Sequence, residues 1–201
     1  MGKRGVFICI EGIDASGKTT HAHRLVENLR RKGFDAVYTT EPTSGEIGKF
    51  IRTHILQGQE RVPSTIEALL FAVDRIEHVE NMIKPALQEG KIVISDRYIF
   101  SSLAYQGAAG LDLKWIEEIN KFAIQPDLAV YLDISAEVVF ERLKREKSVM
   151  ENLETQRKVR EIYLKLVEDR RLIFINGNRP SNEVEKDVLD LVLQFLESRS
   201  S

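Results

Sequence analysis

Cysteine is nearly absent: Cys9 is the only one in 201 residues. That excludes an internal disulfide framework and points to a reducing compartment, the cytoplasm. Cys9 lies inside the apolar run Val6–Ile10 and reads as core filler. The same run is too short for a signal core and is followed by Glu11 and Asp14, so no secretory leader is expected. No apolar stretch approaches the roughly 20 residues of a membrane span, which leaves no membrane partner to expect. An excess of either charge is also missing. The 29 basic and 31 acidic residues give a formal net charge of −2, so the molecule offers no general field for nucleic acid. Any polyanion it binds must be small and held locally. With five prolines and no low-complexity tract, no linker stands out, and residues 1–201 are expected to form a single domain.

What is present is an alternation of buried strands and amphipathic helices. Val6–Ile10, Ala36–Thr39, Ile92–Ser95, Leu128–Leu132 and Leu172–Ile175 are short apolar runs. Most show little alternation, as strands covered on both faces of a parallel sheet do. Ala22, Leu25, Val26 and Leu29 recur at helical spacing before Gly33, and Ile66, Leu69, Leu70, Val73, Ile76 and Val79 mark a longer helix. Further helices are expected over Leu113–Ile124, Ala136–Arg145, Leu153–Arg170 and Asn182–Glu197. Thr43–Pro63 and Glu146–Asn152 are the least regular stretches. The expected fold is a three-layer α/β/α sandwich around a five-stranded parallel sheet with right-handed crossovers.

Gly12-Ile13-Asp14-Ala15-Ser16-Gly17-Lys18-Thr19 fits G-x-x-x-x-G-K-[ST] at each fixed position. Glycines let successive N–H groups turn inward around a phosphate. Lys18 places a charge on the β- and γ-phosphates, and Thr19 offers a hydroxyl to Mg²⁺. A chance match somewhere in the chain arises at roughly one in a hundred. Here an apolar strand precedes the loop and an amphipathic helix follows, the context the motif requires. The expected ligand is a nucleoside triphosphate, held by Gly12 through Thr20, on a P-loop NTPase fold.

The third strand runs out into Asp96-Arg97-Tyr98. An acidic strand end beside the phosphate loop can help hold Mg²⁺ through water. Arg97 would aim a planar fork, suited to a second phosphate, into the same cleft. No Asn-Lys-x-Asp guanine reader is present, since Asn120-Lys121 is followed by Phe122-Ala123. Two anion devices at neighbouring strand ends point to a phosphoryl donor and a phosphorylated acceptor.

These residues, with Glu41-Pro42, Leu69–Arg75, Ser101-Ser102, Ala104–Gly107 and Pro126–Asp133 in the same order, resemble the thymidylate kinase family of P-loop nucleoside monophosphate kinases. The resemblance implies ATP and dTMP as substrates, Mg²⁺ as cofactor and a homodimer, with the Ile66–Val79 helix a candidate for its interface. It implies that Phe71 stacks on thymine and Arg75 reaches the base or its phosphate. Arg97 would bind the acceptor phosphate, with Arg52 a second cation there. Ser101, Ser102 and Gln106 become candidates for reading base edges, or turn formers in a loop. Tyr105 would crowd a 2′-hydroxyl, Asp14 would accept from the acceptor 3′-hydroxyl, and Glu41 would sit across the cleft. Thr40 departs from the arginine that the family commonly places before Glu-Pro.

No second cation precedes Lys18 in the loop, so catalytic charge is sought in a short lid at about residues 144–153. Arg145 and Lys147 are the candidates there, and the resemblance implies that Arg142 stacks on adenine. Asn176–Pro180 is a further candidate for the adenine pocket, or a plain turn. A kinase for another nucleoside monophosphate or a nucleoside, a P-loop ATPase or switch, and a non-catalytic nucleotide-binding module stand as alternatives.

Overall fold

The computed structural model describes residues 4–58, 62–135, 137–139 and 153–199. Five strands, β1 (Val6–Glu11), β2 (Ala36–Thr40), β3 (Ile92–Asp96), β4 (Leu128–Asp133) and β5 (Ile173–Asn176), form one sheet in the order β2-β3-β1-β4-β5. Every pairing in it is parallel. The apolar runs mark these strands to within a residue at most ends.

Alternation sends the side chains of β1, β3 and β4 into two cores. Ile8, Ile10, Ile94, Val130 and Leu132 pack on one face against Ala22, Leu25, Val26 and Leu29 of α1 (Lys18–Arg31) and Val184, Val188 and Val192 of α8 (Ser181–Ser198). Phe7, Cys9, Val93, Ala129 and Tyr131 pack on the other. That face is covered by α5 (Ile99–Ala108), α6 (Leu113–Ile119), α7 (Leu153–Glu168) and the inner side of a long helix. The long helix runs as α3 (Ser64–His78), a widened π turn over Val79–Ile83, and α4 (Lys84–Gln88). Pro85, which has no N–H to give the α ladder, follows the widened turn.

Three sequence expectations change. Thr43–Pro63 is not wholly irregular: it holds α2 (Glu46–Phe50) and a π turn over Ile51–Leu56. A Cβ on Gly48 would lie 2.0 Å from Thr43 O, so only glycine lets α2 lie on that backbone. Ser101, Ser102 and Gln106 are not loop residues but lie on α5. The helix expected over Leu113–Ile124 ends at Ile119, and Asn120 turns its side-chain Nδ2 back to Ile116 O at 2.8 Å. The stripe Ile66, Leu69, Val73 and Ile76 lies on the outer side of α3, 36–48% exposed. Ala68, Ala72 and Arg75 face inward instead.

Because β1 is central and Ile8 is fully buried, Ile8→Ala should lower unfolding stability by about 2–5 kcal/mol in urea titrations. A loss below about 1 kcal/mol would mean that this face of the sheet is less tightly packed than the burial shows.

Candidate active site

The phosphate loop leaves the carboxyl end of β1, where α1 and α5 depart on opposite faces of the sheet, the usual ligand crevice of an open parallel sheet. A Cβ on Gly12 would lie 2.6 Å from Ser16 Oγ and 2.8 Å from Leu132 O, so the turn closes only on glycine. Gly17 takes a left-handed φ of 92° and caps α1, turning the helix's first N–H groups and positive dipole end into the loop. Lys18 is buried and donates to Ile13 O at 2.6 Å. Burial, with Arg97 adding to it, lowers the Lys18 ammonium to about 8 against the pull of Asp14, Asp96 and Glu11.

At the end of β3, Arg97 adopts a left-handed φ of 71°, which is costly for a residue with a side chain. Its guanidinium pairs with Asp14, donates to Ser101 Oγ at 3.1 Å, and lies over the Tyr105 ring at 5.2 Å. Gln156 on α7 donates to the other Asp14 oxygen at 3.0 Å. Burial pushes the Asp14 carboxyl up, but Arg97, Lys18 and Gln156 outweigh it and hold it below the usual carboxylate range.

Beneath this turn lies Glu11, fully buried at the end of β1. Its Oε1 accepts from Tyr98 N at 2.8 Å and Ser101 N at 3.3 Å, capping the first turn of α5 from a distant strand. Its Oε2 accepts from Ser101 Oγ at 2.7 Å and Tyr163 Oη at 2.8 Å. Glu11 thereby holds the backbone that follows Arg97 and ties it to α7.

A second polar network lines α3. Arg75 is buried and donates to Glu41 Oε2 at 2.7 and 2.9 Å, to Ser102 Oγ at 3.1 Å and to Asn120 Oδ1. The other Glu41 oxygen meets His78 Nδ1 at 3.0 Å. Glu41 therefore reaches the site through Arg75, both of its oxygens being engaged. Arg52 forks onto the carbonyls of Pro42 and Thr43, where it braces the loop after β2. Thr40 donates to Asp96 O at 3.0 Å. Phe71 is half-buried on α3, one turn before Arg75.

Thr19, in the first turn of α1, and Asp96, at the end of β3, form an oxygen pair. Thr19 Oγ1 donates to Asp96 Oδ2 at 2.5 Å, and Asp96 Oδ1 is buried with no hydrogen-bond partner among the described residues. These are hard-cation donors. Among the described residues no cluster of three or more His, Cys, Asp or Glu forms a metal site. A cation here would take most of its ligands from phosphate and water.

A sequence model of the family described as thymidylate kinase matches residues 10–188. The chain is 46% identical over 197 residues to a Pyrococcus abyssi protein named probable thymidylate kinase, covering 94% of this chain and 96% of that one. It is 47% identical over 202 residues to a Thermococcus kodakarensis protein of the same name, covering 95% and 98%. It is 39% identical over 196 residues to the thymidylate kinase of Halothermothrix orenii, covering 92% and 95%. The chain belongs to the thymidylate kinase family.

For this family member the structure joins the phosphate loop, Asp96, Arg97, Ser101 and Tyr105 at the ends of β1 and β3, and sets Phe71, Arg75, Ser102 and Gln106 between α3 and α5. The lid expected at about 144–153, with Arg142, Arg145 and Lys147, lies outside the described residues except where Leu153 opens α7. In the Asn176–Pro180 turn, Gly177 N donates to Asp133 O at 2.7 Å and Arg179 pairs with Asp187. Sequence reading missed Glu11, Glu67, Asn120, Gln156 and Tyr163. Only Glu11 carried a signal, as a carboxylate ending an otherwise apolar strand.

Lys18 yields a pH test. Its ammonium is present below about 8 and lost as pH rises through that value. In the free enzyme kcat/KM for ATP should fall above pH 8, while kcat, measured with phosphate bound, should hold to higher pH. Because the folded value lies below the ordinary 10.5, Lys18 costs stability at neutral pH, and that cost is relieved between those two values. Lys18→Met should therefore raise Tm at pH 7 by more than at pH 10. A pH-independent kcat/KM together with an unchanged Tm would contradict this assignment.

Proposed function

We propose that this protein transfers the γ-phosphoryl group of ATP to dTMP, forming dTDP and ADP with Mg²⁺, in the cytoplasm and towards dTTP synthesis. The observation that carries the reading is the Arg97–Asp14 pair: the guanidinium that follows the end of β3 lies against the loop that follows β1. A cleft with anion devices from two strands suits two phosphorylated ligands better than one.

In this reading Gly12–Thr20 bind the ATP phosphates, with Lys18 on the β- and γ-groups. Arg97 exchanges part of its pairing with Asp14 for the acceptor phosphate and holds that oxygen in line. The acceptor oxygen forms the new bond to the γ-phosphorus as the β–γ bridging bond breaks, and the electron pair leaves with ADP. Positioning and positive charge supply most of the acceleration. Asp14, kept ionised, accepts from the 3′-hydroxyl. Tyr105 covers the deoxyribose, Phe71 stacks on the base, Arg75, Ser102 and Gln106 face its edge, and Ser101 and Arg52 brace the acceptor loops. Thr19 and Asp96 would hold Mg²⁺, which neutralises charge on the phosphates. The lid charge is assigned to Arg145 and Lys147 and the adenine contact to Arg142, as the family resemblance implies.

The outward stripe Ile66, Leu69, Val73 and Ile76 supports the homodimer reading, since a row of apolar side chains at helical spacing needs a cover. No described helix is long and apolar enough to cross a membrane. With a net charge of −2, the proposed partners are the two nucleotides and a second copy of the chain, with neither nucleic acid nor membrane.

ADP release measured in parallel with dTMP, dUMP, dCMP and thymidine should be fastest with dTMP. Lys18→Ala should cut it by orders of magnitude while the fold persists. Equal or better turnover of another acceptor, or the same hydrolysis without any acceptor, would overturn the proposal.

A further inference from the structure

Two rows of side chains face each other across α3 and α5. Glu67, Phe71 and Arg75 are spaced four apart along one face of α3, and Ser102 and Gln106 are spaced four apart along α5. At one end Arg75 Nη2 donates to Ser102 Oγ at 3.1 Å, and at the other Gln106 Nε2 donates to Glu67 Oε1 at 2.9 Å. The half-buried Phe71 lies on α3 between these two rungs. Glu67 and Gln106 are 3% and 2% exposed, so the contact is an interior one.

The Gln106 amide is held one way round. A carboxylate only accepts, so it takes the amide's NH₂ side and turns the carbonyl away. That carbonyl, Gln106 Oε1, is buried with no hydrogen-bond partner among the described residues. Buried acceptors without a donor are rare in folded proteins. This one belongs to the wall beside the ring on which the acceptor base would stack.

We infer that Glu67 is a positioning residue that fixes the Gln106 amide with its carbonyl towards the base, and so selects a base whose ring edge carries an N–H. The inference rests on the nucleoside monophosphate kinase reading and deepens it. Thymine and uracil carry a donor at N3. Cytosine carries a lone pair there, which would meet the lone pairs of Oε1. Without Glu67 the amide turns over at little cost and offers NH₂ to cytosine N3 instead. A site that hydrogen-bonds its substrate rejects an analogue lacking the matching group, because the buried partner is left unpaired.

The test is the ratio of kcat/KM for dTMP to that for dCMP, in wild type and in Glu67→Gln. The variant amide can donate as well as accept, so it no longer orients Gln106. The ratio should fall by about tenfold or more, chiefly through KM of the acceptor, with KM for ATP unchanged. Mere loosening of the fold would lower both kcat/KM values together and leave the ratio intact, and that result overturns the inference. If Glu67→Gln fails to fold, Glu67→Met should show the same fall. Gln106→Met removes the reader itself, and preserved selectivity there would also overturn the inference. A wild-type enzyme that ignores dTMP but phosphorylates another acceptor refutes the acceptor assignment instead, which keeps the two failures distinct.

Discussion

The site depends on one contact, the pairing of Arg97 with Asp14. It bridges the loop after β1 and the turn after β3, adjacent strands at the centre of the sheet. Arg97 can stand there only because its backbone is left-handed. The conformation persists because its surroundings over-determine it: Tyr105 lies under the guanidinium, Ser101 accepts from it, and Glu11 holds the peptide groups that follow. A polar cluster of this kind costs desolvation, which its mutual hydrogen bonds offset. Lys18 is similar in kind, a cation buried at some cost and held where a phosphate charge would restore what burial removes.

The Glu41–Arg75–His78 group has a different physical character. Both members of the Glu41–Arg75 pair are almost wholly buried, and Ser102 and Asn120 complete the guanidinium's partners. Removing one partner of such a pair costs about 3–5 kcal/mol because the other is left charged and dry. This group makes a rigid wall that fixes the separation of α3 and α5. The Gln106–Glu67 contact then sets the other end of the wall.

The fold was legible because Val6–Ile10, Ile92–Ser95 and Leu128–Leu132 carry the unbroken apolar character that burial on both faces demands. The phosphate loop was legible because its geometry requires glycine at Gly12 and Gly17. Helix α5 was not, since Ser101, Ser102, Tyr105 and Gln106 make a polar row that reads as a loop until α3 supplies partners for Ser102 and Gln106, and Glu11 and Arg97 supply those of Ser101 and Tyr105. On α3 the apolar period was real but marked the outer face, because the inner face is given to Ala68, Ala72 and Arg75. Pairings such as Glu11 with Tyr98 and Tyr163 join residues 87 and 152 positions apart. No local pattern encodes such a pairing; it exists only once parallel strands set the ends of β1 and β3 side by side.

The central claim is that donor and acceptor phosphates meet in one cleft, between Lys18 and Arg97. The most direct measurement is calorimetric titration with thymidine and adenosine joined 5′ to 5′ through a polyphosphate chain. One molecule per chain should bind, about a hundredfold or more tighter than ATP, because linking turns the second contact into an intramolecular one. Binding no tighter than that of ATP would contradict the account.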